Sequence, residues 1–119
     1  MSVSIIKEKS FDFAVDIIKF YKQMYREDKD MVLSKQILRS GTSIGANVKE
    51  GVSAQSKKDF LNKMNIALKE ANETEYWIEL FIGAGYIKEK QPEILYKCKE
   101  ICRMLSSTVS TTKKHLDLE

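Results

Sequence analysis

The sequence has 119 residues, of which 43% are hydrophobic and 31% charged, with one proline, five glycines and a net charge of +3. Such a chain can bury a core without disulfides or metals, and it has too few turn formers for a disordered chain or an all-β domain. Its uncharged runs fall far short of the ~20 residues of a membrane span, and Lys7, Glu8 and Lys9 precede any apolar signal region. We therefore expect one soluble, cytoplasmic, helical domain over residues 1–119.

Apolar periodicity predicts four helices, over residues 10–27, 31–52, 57–82 and 92–115. Ser10 is the predicted N-cap of the first helix, in which apolar residues recur every three or four positions from Phe13 to Met24. A second apolar row, which contains Ile18 and Tyr25, widens that face. Asp30 is well placed to cap the second helix.

The third and fourth helices carry their own start signals. Ser56 with Asp59 three residues later resembles a capping box, and Pro92 suits the first position of a helix. Short connections between long helices favour antiparallel neighbours. The predicted fold is therefore all-α, an antiparallel up-down-up-down four-helix bundle.

The second helix carries a strip of short amides and hydroxyls between its apolar core side and a basic side. Such groups suit a partly buried seam in which each finds a hydrogen-bond partner. If the second and third helices turn near residue 54, residue 39 lies level with residue 69, opposite two glutamates. The resulting polar seam comprises Gln36, Arg39, Ser43, Asn47, Glu50, Glu70 and Glu73. The alternative is an ordinary polar face with two tolerated glycines, Gly41 and Gly45.

Basic residues are concentrated in residues 31–69, which hold seven basic and two acidic side chains. The residues predicted to contact phosphate, if nucleic acid binds, are Lys35, Lys49, Lys57 and Lys58. Stacking aromatics are missing among them, which argues against base recognition in single strands. A solvated helix face is the alternative interpretation of the same charges.

Three segments carry a family resemblance: residues 36–51 (QILRSGTSIGANVKEG), 54–60 (AQSKKDF) and 66–77 (IALKEANETEYW). Within about residues 10–87, the chain resembles the 23S ribosomal RNA intervening-sequence protein family, also described as four helix bundle proteins. The resemblance implies a small bacterial bundle that assembles into a ring, typically a pentamer. A related branch, the accessory proteins of diversity-generating retroelements, binds nucleic acid and a reverse transcriptase through a basic surface.

No catalytic residue, metal, cofactor or small-molecule substrate is predicted. Ser43 has no histidine near it in sequence, and the single histidine, His115, lies near the end of the chain. The acids of the third helix lack the Glu-x-x-His motif of di-metal bundles. Cys98 and Cys102 lie in an apolar stripe, as reduced core thiols do.

Self-association is predicted through apolar residues on the flanks of the third helix, Ile66, Trp77 and Leu80. A bundle helix needs only one apolar stripe, so additional apolar surface indicates a partner. The expected partners are further copies of the chain, with a pentamer favoured, and RNA or DNA as a candidate ligand; no membrane is expected. The alternative is an oligomeric protein-interaction module with no role in nucleic-acid binding.

Overall fold

The computed structural model describes residues 3–27 and 30–118, and within them it contains four α-helices and no strands. The helices are α1 (Val3–Arg26), α2 (Met31–Val52), α3 (Lys57–Gly83) and α4 (Glu93–Asp117). The prediction of an all-α four-helix bundle is confirmed. For α2, α3 and α4, the predicted bounds differ from the observed ones by two residues at most.

The start of α1 corrects the prediction that Ser10 is its N-cap. The helix begins at Val3, and Ser10 is buried inside it, where its hydroxyl donates to the carbonyl of Lys7 at 3.1 Å. The extension is stable because Ile6 continues the apolar row and is itself 2% exposed. A hydroxyl that bonds back to its own helix is satisfied without ending that helix.

The starts of the other helices follow the predicted signals closely. Asp30 accepts hydrogen bonds from the first turn of α2, and Ser56 accepts one from the backbone of Asp59. Pro92 occupies the N-cap position of α4 rather than its first helical position. At the end of α3, Gly85 has a φ of 82°, a left-handed conformation that glycine adopts without strain.

Contacts between neighbouring helices show that these helices are antiparallel, because later residues of one helix meet earlier residues of the other. The pairs are Ser10 with Gly45 and Ile17 with Gly41 between α1 and α2, Arg39 with Glu70 and Gly51 with Met64 between α2 and α3, and Lys9 with Glu100 and Asp16 with Lys97 between α1 and α4. Helices α3 and α4 also pack side by side. Among the described residues, the backbones of the diagonal pairs α1–α3 and α2–α4 do not approach closely, and α1 and α3 meet through core side chains such as Phe20 and Phe81.

The core is an elongated apolar column, in a molecule that measures 52 × 22 × 21 Å. Its largest fully buried side chains include Phe13, Ile17, Ile37, Met64, Ile78, Phe81 and Leu105. Gly41 and Gly45 of α2 allow α1 to approach closely, since a Cβ at Gly45 would lie 3.1 Å from the carbonyl oxygen of Ser10. None of the helices in the described part of the chain is both long and apolar enough to cross a membrane.

Candidate functional site

The polar seam lies along the outer side of the α2–α3 interface. Its α2 members occur every three or four residues, so they share one stripe of the helix. Every one of its seven side chains is partly or fully exposed, and none is buried. The seam is therefore a surface feature with its inner edge against the core.

Arg39 is the centre of the seam. Its Nη1 lies 3.2 Å from Oε2 of Glu70, and its Nη2 contacts Oε2 of Glu73. Its Nε donates to the side-chain oxygen of Gln36 at 3.4 Å. The carboxylate of Glu73 also accepts a hydrogen bond from the indole of Trp77 at 2.9 Å. These contacts follow the antiparallel register that the sequence predicts, and they join α2 to α3 at mid-height.

The remaining seam residues of α2 make local bonds. The Ser43 hydroxyl donates to the carbonyl of Arg39 at 2.6 Å, and the Asn47 amide donates to the carbonyl of Ser43 at 2.8 Å. Both bonds stay within α2 rather than crossing to the start of α3. Glu50 does cross the interface, since its carboxylate lies 3.5 Å from Nζ of Lys63.

A buried pair of hydroxyls beneath the seam was not predicted from the sequence. Ser40 and Thr74 are both 0% exposed, and their oxygens are 2.9 Å apart. Thr74 also donates to the carbonyl of Glu70 at 2.7 Å. Two features of the sequence could have indicated this pair: Ser40 directly follows Arg39 in α2, and Thr74 belongs to the apolar row of α3. A buried polar pair fixes the lateral register of two helices, since a shift would remove the bond that satisfies the buried Ser40 hydroxyl.

Arg39→Ala should lower the free energy of unfolding by about 1–2 kcal/mol. This loss lies between those expected for breaking an exposed ion pair and a buried one. The side chains are 49% exposed for Arg39, 21% for Glu70 and 37% for Glu73, so water screens the pairs only in part. Urea unfolding followed by Trp77 fluorescence measures the change. The matched control is Lys35→Ala, an exposed position on the same helix. Equal unfolding midpoints for the two variants would contradict a stabilising role for the seam.

The four candidate phosphate-contacting lysines are all exposed, but they do not form one cluster. Lys49 lies near the end of α2, and Lys57 and Lys58 lie in the first turn of α3, so these three share one end of the bundle. Lys35 lies 14 residues earlier in α2, about 21 Å away along the helix axis.

The fourth helix brings further lysines to this basic end. The Cys98 thiol contacts the carbonyl of Ala71. Because α3 and α4 are antiparallel, a step back along α3 corresponds to a step forward along α4. Lys57 lies 14 residues before Ala71, and residue 112 lies 14 residues after Cys98, so the two are level. Lys113 and Lys114 are exposed in that last part of α4. The sequence signal for them was weak, because nearly sixty residues separate them from Lys57.

Apolar surface is present on α3 where it was predicted, and it is more extensive on α1. Ile66 is 42% exposed and Leu80 39%, whereas Trp77 is half-buried against the core. Phe11, Ile18 and Tyr25 of α1 are 66%, 44% and 68% exposed. The second apolar row that the sequence showed on α1 is thus directed partly to solvent.

The cysteines, the histidine and Ser43, considered from the sequence as possible catalytic groups, do not lie together. Cys98 is buried and Cys102 half-buried, and both are free thiols. The hydrogen bond with Cys102, together with burial, raises the pKa of the Cys98 thiol far above its usual range, which suppresses the reactive thiolate. His115 is exposed on α4, diagonally across the bundle from Ser43. Among the described residues, no group of three or more His, Cys, Asp or Glu side chains is arranged to hold a metal ion.

A second ion-paired surface lies between α1 and α4. Nζ of Lys97 is 2.8 Å from the carboxylate of Asp16 and 3.4 Å from that of Glu93. The hydrogen bond with Asp16 raises the pKa of Lys97. An open groove of about 460 Å³ runs beside these pairs. Its lining combines two acidic and three basic side chains, so it offers little concentrated charge of one sign to a ligand.

The sequence matches a family model over most of its length. The model of the 23S rRNA-intervening sequence protein family matches residues 3–107. The chain belongs to this family. A crystal structure of a protein of unknown function from the S23 ribosomal protein family of Bacteroides thetaiotaomicron is 54% identical, with a TM-score of 0.87. The match covers 92% of this chain and 99% of that one. No curated protein matches the sequence significantly.

Proposed function

We propose that this family member is a non-enzymatic scaffold that self-associates, with a pentamer as the favoured size. The observation that carries the proposal is the apolar surface on α1 and α3, where Phe11 and Tyr25 are about two-thirds exposed. Covering one such side chain contributes about 1.5–3 kcal/mol. Several large exposed apolar side chains along one helix of a small bundle are typical of an interface between proteins.

Several observations support a role without catalysis. The free thiols lie in or against the core, and Ser43 is bonded into its own helix. The groups of the polar seam are paired with one another rather than directed into a cleft. Reduced thiols also fit the cytoplasmic location proposed for the protein.

Light scattering at micromolar concentration tests the self-association. The expected result is a particle whose mass is a multiple of the 13.7 kDa chain, with five copies favoured. Dilution should lower this mass if the association is reversible. A mass of one chain across the whole concentration range contradicts the proposal.

We further propose that the scaffold contacts nucleic acid through the basic end of the bundle. Lys49, Lys57 and Lys58 support this role, because they share that end and lie level with the last turns of α4. The accessory proteins of diversity-generating retroelements, to which the sequence resemblance relates this family, bind nucleic acid. That resemblance supports nucleic acid as the ligand. A few lysines give weak binding in one copy, but a ring repeats them and gains affinity through multivalency.

Charge reversal of Lys57 and Lys58 to glutamate should abolish retention of RNA or duplex DNA at about 50 mM salt, where phosphate contacts are strongest. The melting curve and the oligomer mass should stay unchanged, because both side chains are exposed. Lys35→Glu is the matched control, since that lysine lies at the other end of α2 and should retain binding. If the unmodified protein retains no nucleic acid at this salt, the alternative function as a protein-interaction module is supported instead.

A further inference from the structure

An open groove of about 700 Å³ runs between α1 and α2 on the surface of the bundle. Its α2 side consists of Thr42, Gly45, Ala46 and Lys49. The first three of these side chains are small, so the groove is wide enough to receive a bulky side chain from outside. Phe11 lies along its α1 side and is 66% exposed. The groove is thus an apolar depression with one large apolar side chain at its edge.

The apolar surface of the groove continues along α1. Phe11, Ile18 and Tyr25 are spaced by seven residues, so they form one stripe along the helix. Lys7 and Lys22 lie within one turn of this stripe, and both are exposed. With Lys49 on the opposite side, basic residues outnumber the single acid of the groove lining, Glu8. The whole face is therefore apolar and basic.

The outer face of α3 has the complementary composition. Tyr76 and Leu80 are 57% and 39% exposed, and they are one turn apart. Glu79 lies beside them within one turn, and residues 70–82 hold four acids and no basic residue, of which Glu70 and Glu73 are paired with Arg39. The ring of Tyr76 also packs edge-on against Trp77, with centroids 5.4 Å apart, which limits its mobility. This face is apolar and acidic, with a positioned aromatic side chain at its centre.

We infer that the outer face of α3, with Tyr76 and Leu80, docks into the α1–α2 groove of a second copy of this chain. This inference rests on the proposed self-association and identifies its two faces. Aromatic side chains that fill a pocket on the partner provide much of the energy of an interface. Glu79, which lies beside Tyr76 and outside the polar seam, then faces the lysines around the groove, which adds electrostatic complementarity.

The alternative contacts of each face with itself are unfavourable. Two α1–α2 faces would oppose Lys7, Lys22 and Lys49 to one another, and two α3 faces would oppose their glutamates. Like charges across an interface disfavour that pairing. The contact is therefore heterologous, and a heterologous contact closes into a ring when its rotation allows. Because the groove and the α3 face lie on different helices, one copy uses both at once.

Two variants that each block one face test this pairing. Ala46→Arg fills the groove and adds a like charge beside Lys49, and Tyr76→Lys replaces the docking side chain with a base. Each variant alone should sediment as a single chain of 13.7 kDa in analytical ultracentrifugation. An equimolar mixture at high micromolar concentration should form a dimer with one copy of each variant, because one intact groove and one intact α3 face remain.

The outcomes separate this inference from the proposed function. If the unmodified protein is monomeric, the proposed self-association and the inferred pairing of faces both fail. If it is oligomeric and either variant keeps the same mass, or if the mixture forms no dimer, self-association stands and the pairing of faces is overturned. Tyr96→Lys is the control, because Tyr96 is 67% exposed on α4, outside both faces, and its change should leave the mass unaltered.

Circular dichroism establishes that each variant retains a cooperative helical melt. If Ala46→Arg or Tyr76→Lys does not fold, Phe11→Lys and Leu80→Lys take their places, since both positions are exposed and lie on the same two faces. The same dimer is then expected from their mixture. A folded, oligomeric Phe11→Lys variant overturns the pairing.

Discussion

Phe81→Ala is expected to lower the free energy of unfolding by about 3–5 kcal/mol, the range for large-to-small changes in a core. Phe81 is 0% exposed, and its ring packs against Phe20 and edge-on against Tyr86, with centroids 6.3 and 5.3 Å apart. Truncation leaves a cavity that the long helices around it cannot close, so the lost contacts are not replaced.

The same change also loosens the connection from α3 to α4. The carbonyl of Phe81 accepts hydrogen bonds from the backbone of Tyr86 and Ile87, which forms the C-terminal cap of α3 together with Gly85. A contact between the side chains of Phe81 and Tyr86 normally accompanies such a cap. The amides of residues 86 and 87 should therefore exchange hydrogen faster in the variant.

Thermal melts at fixed protein concentration measure the loss, since any self-association makes the melting temperature depend on concentration. A domain of this size loses about 4 °C per kcal/mol, so Phe81→Ala should melt about 12–20 °C lower. Tyr96→Ala is the matched control, because this aromatic side chain is 67% exposed and its truncation should cost under about 1 kcal/mol. Similar melting temperatures for the two variants would mean that the α3 terminus is not part of the core.

Local signals account for the parts of the fold that were predictable. Asp30 and Ser56 sit directly before apolar periodicity and cap it, and Gly85 supplies the backbone conformation that ends α3. Ser10 was misassigned because serine is also tolerated inside a helix when its hydroxyl bonds backward. Whether the two preceding turns form depends on the burial of Ile6, which is a property of the assembled bundle.

The sequence predicted which residues of the polar seam pair with one another, but it predicted less well how far these residues are buried. Antiparallel register alone placed Arg39 opposite Glu70 and Glu73, because helical rise converts sequence separation into height. Exposure depends on how two helices rotate about their axes, which the pattern of one helix does not specify. For the same reason the apolar row of α1 could not be divided between core and surface, and Ile18 and Tyr25 were not distinguished from Ile17 and Met24.

Gly41→Val is expected to destabilise the fold by about 3 kcal/mol, at the upper end of the effects of overpacking. A Cβ at position 41 would lie 2.7 Å from Cγ1 of Ile17 and 3.0 Å from its Cγ2. Ile17 is fully buried and β-branched, so these atoms cannot rotate away and α1 must move instead. The higher helix propensity of valine returns only about 0.5 kcal/mol.

Gly83→Val provides the control for this substitution, because a Cβ at that position, the last of α3, meets nothing within 4 Å. Its unfolding midpoint in urea should match that of the unmodified protein, whereas Gly41→Val should unfold at a clearly lower concentration. The close contact of α1 with α2 also shapes the groove between them, so Gly41→Val should reduce the oligomer mass as it separates the helices. A Gly41→Val variant as stable as Gly83→Val would show that α1 and α2 do not approach closely at this position.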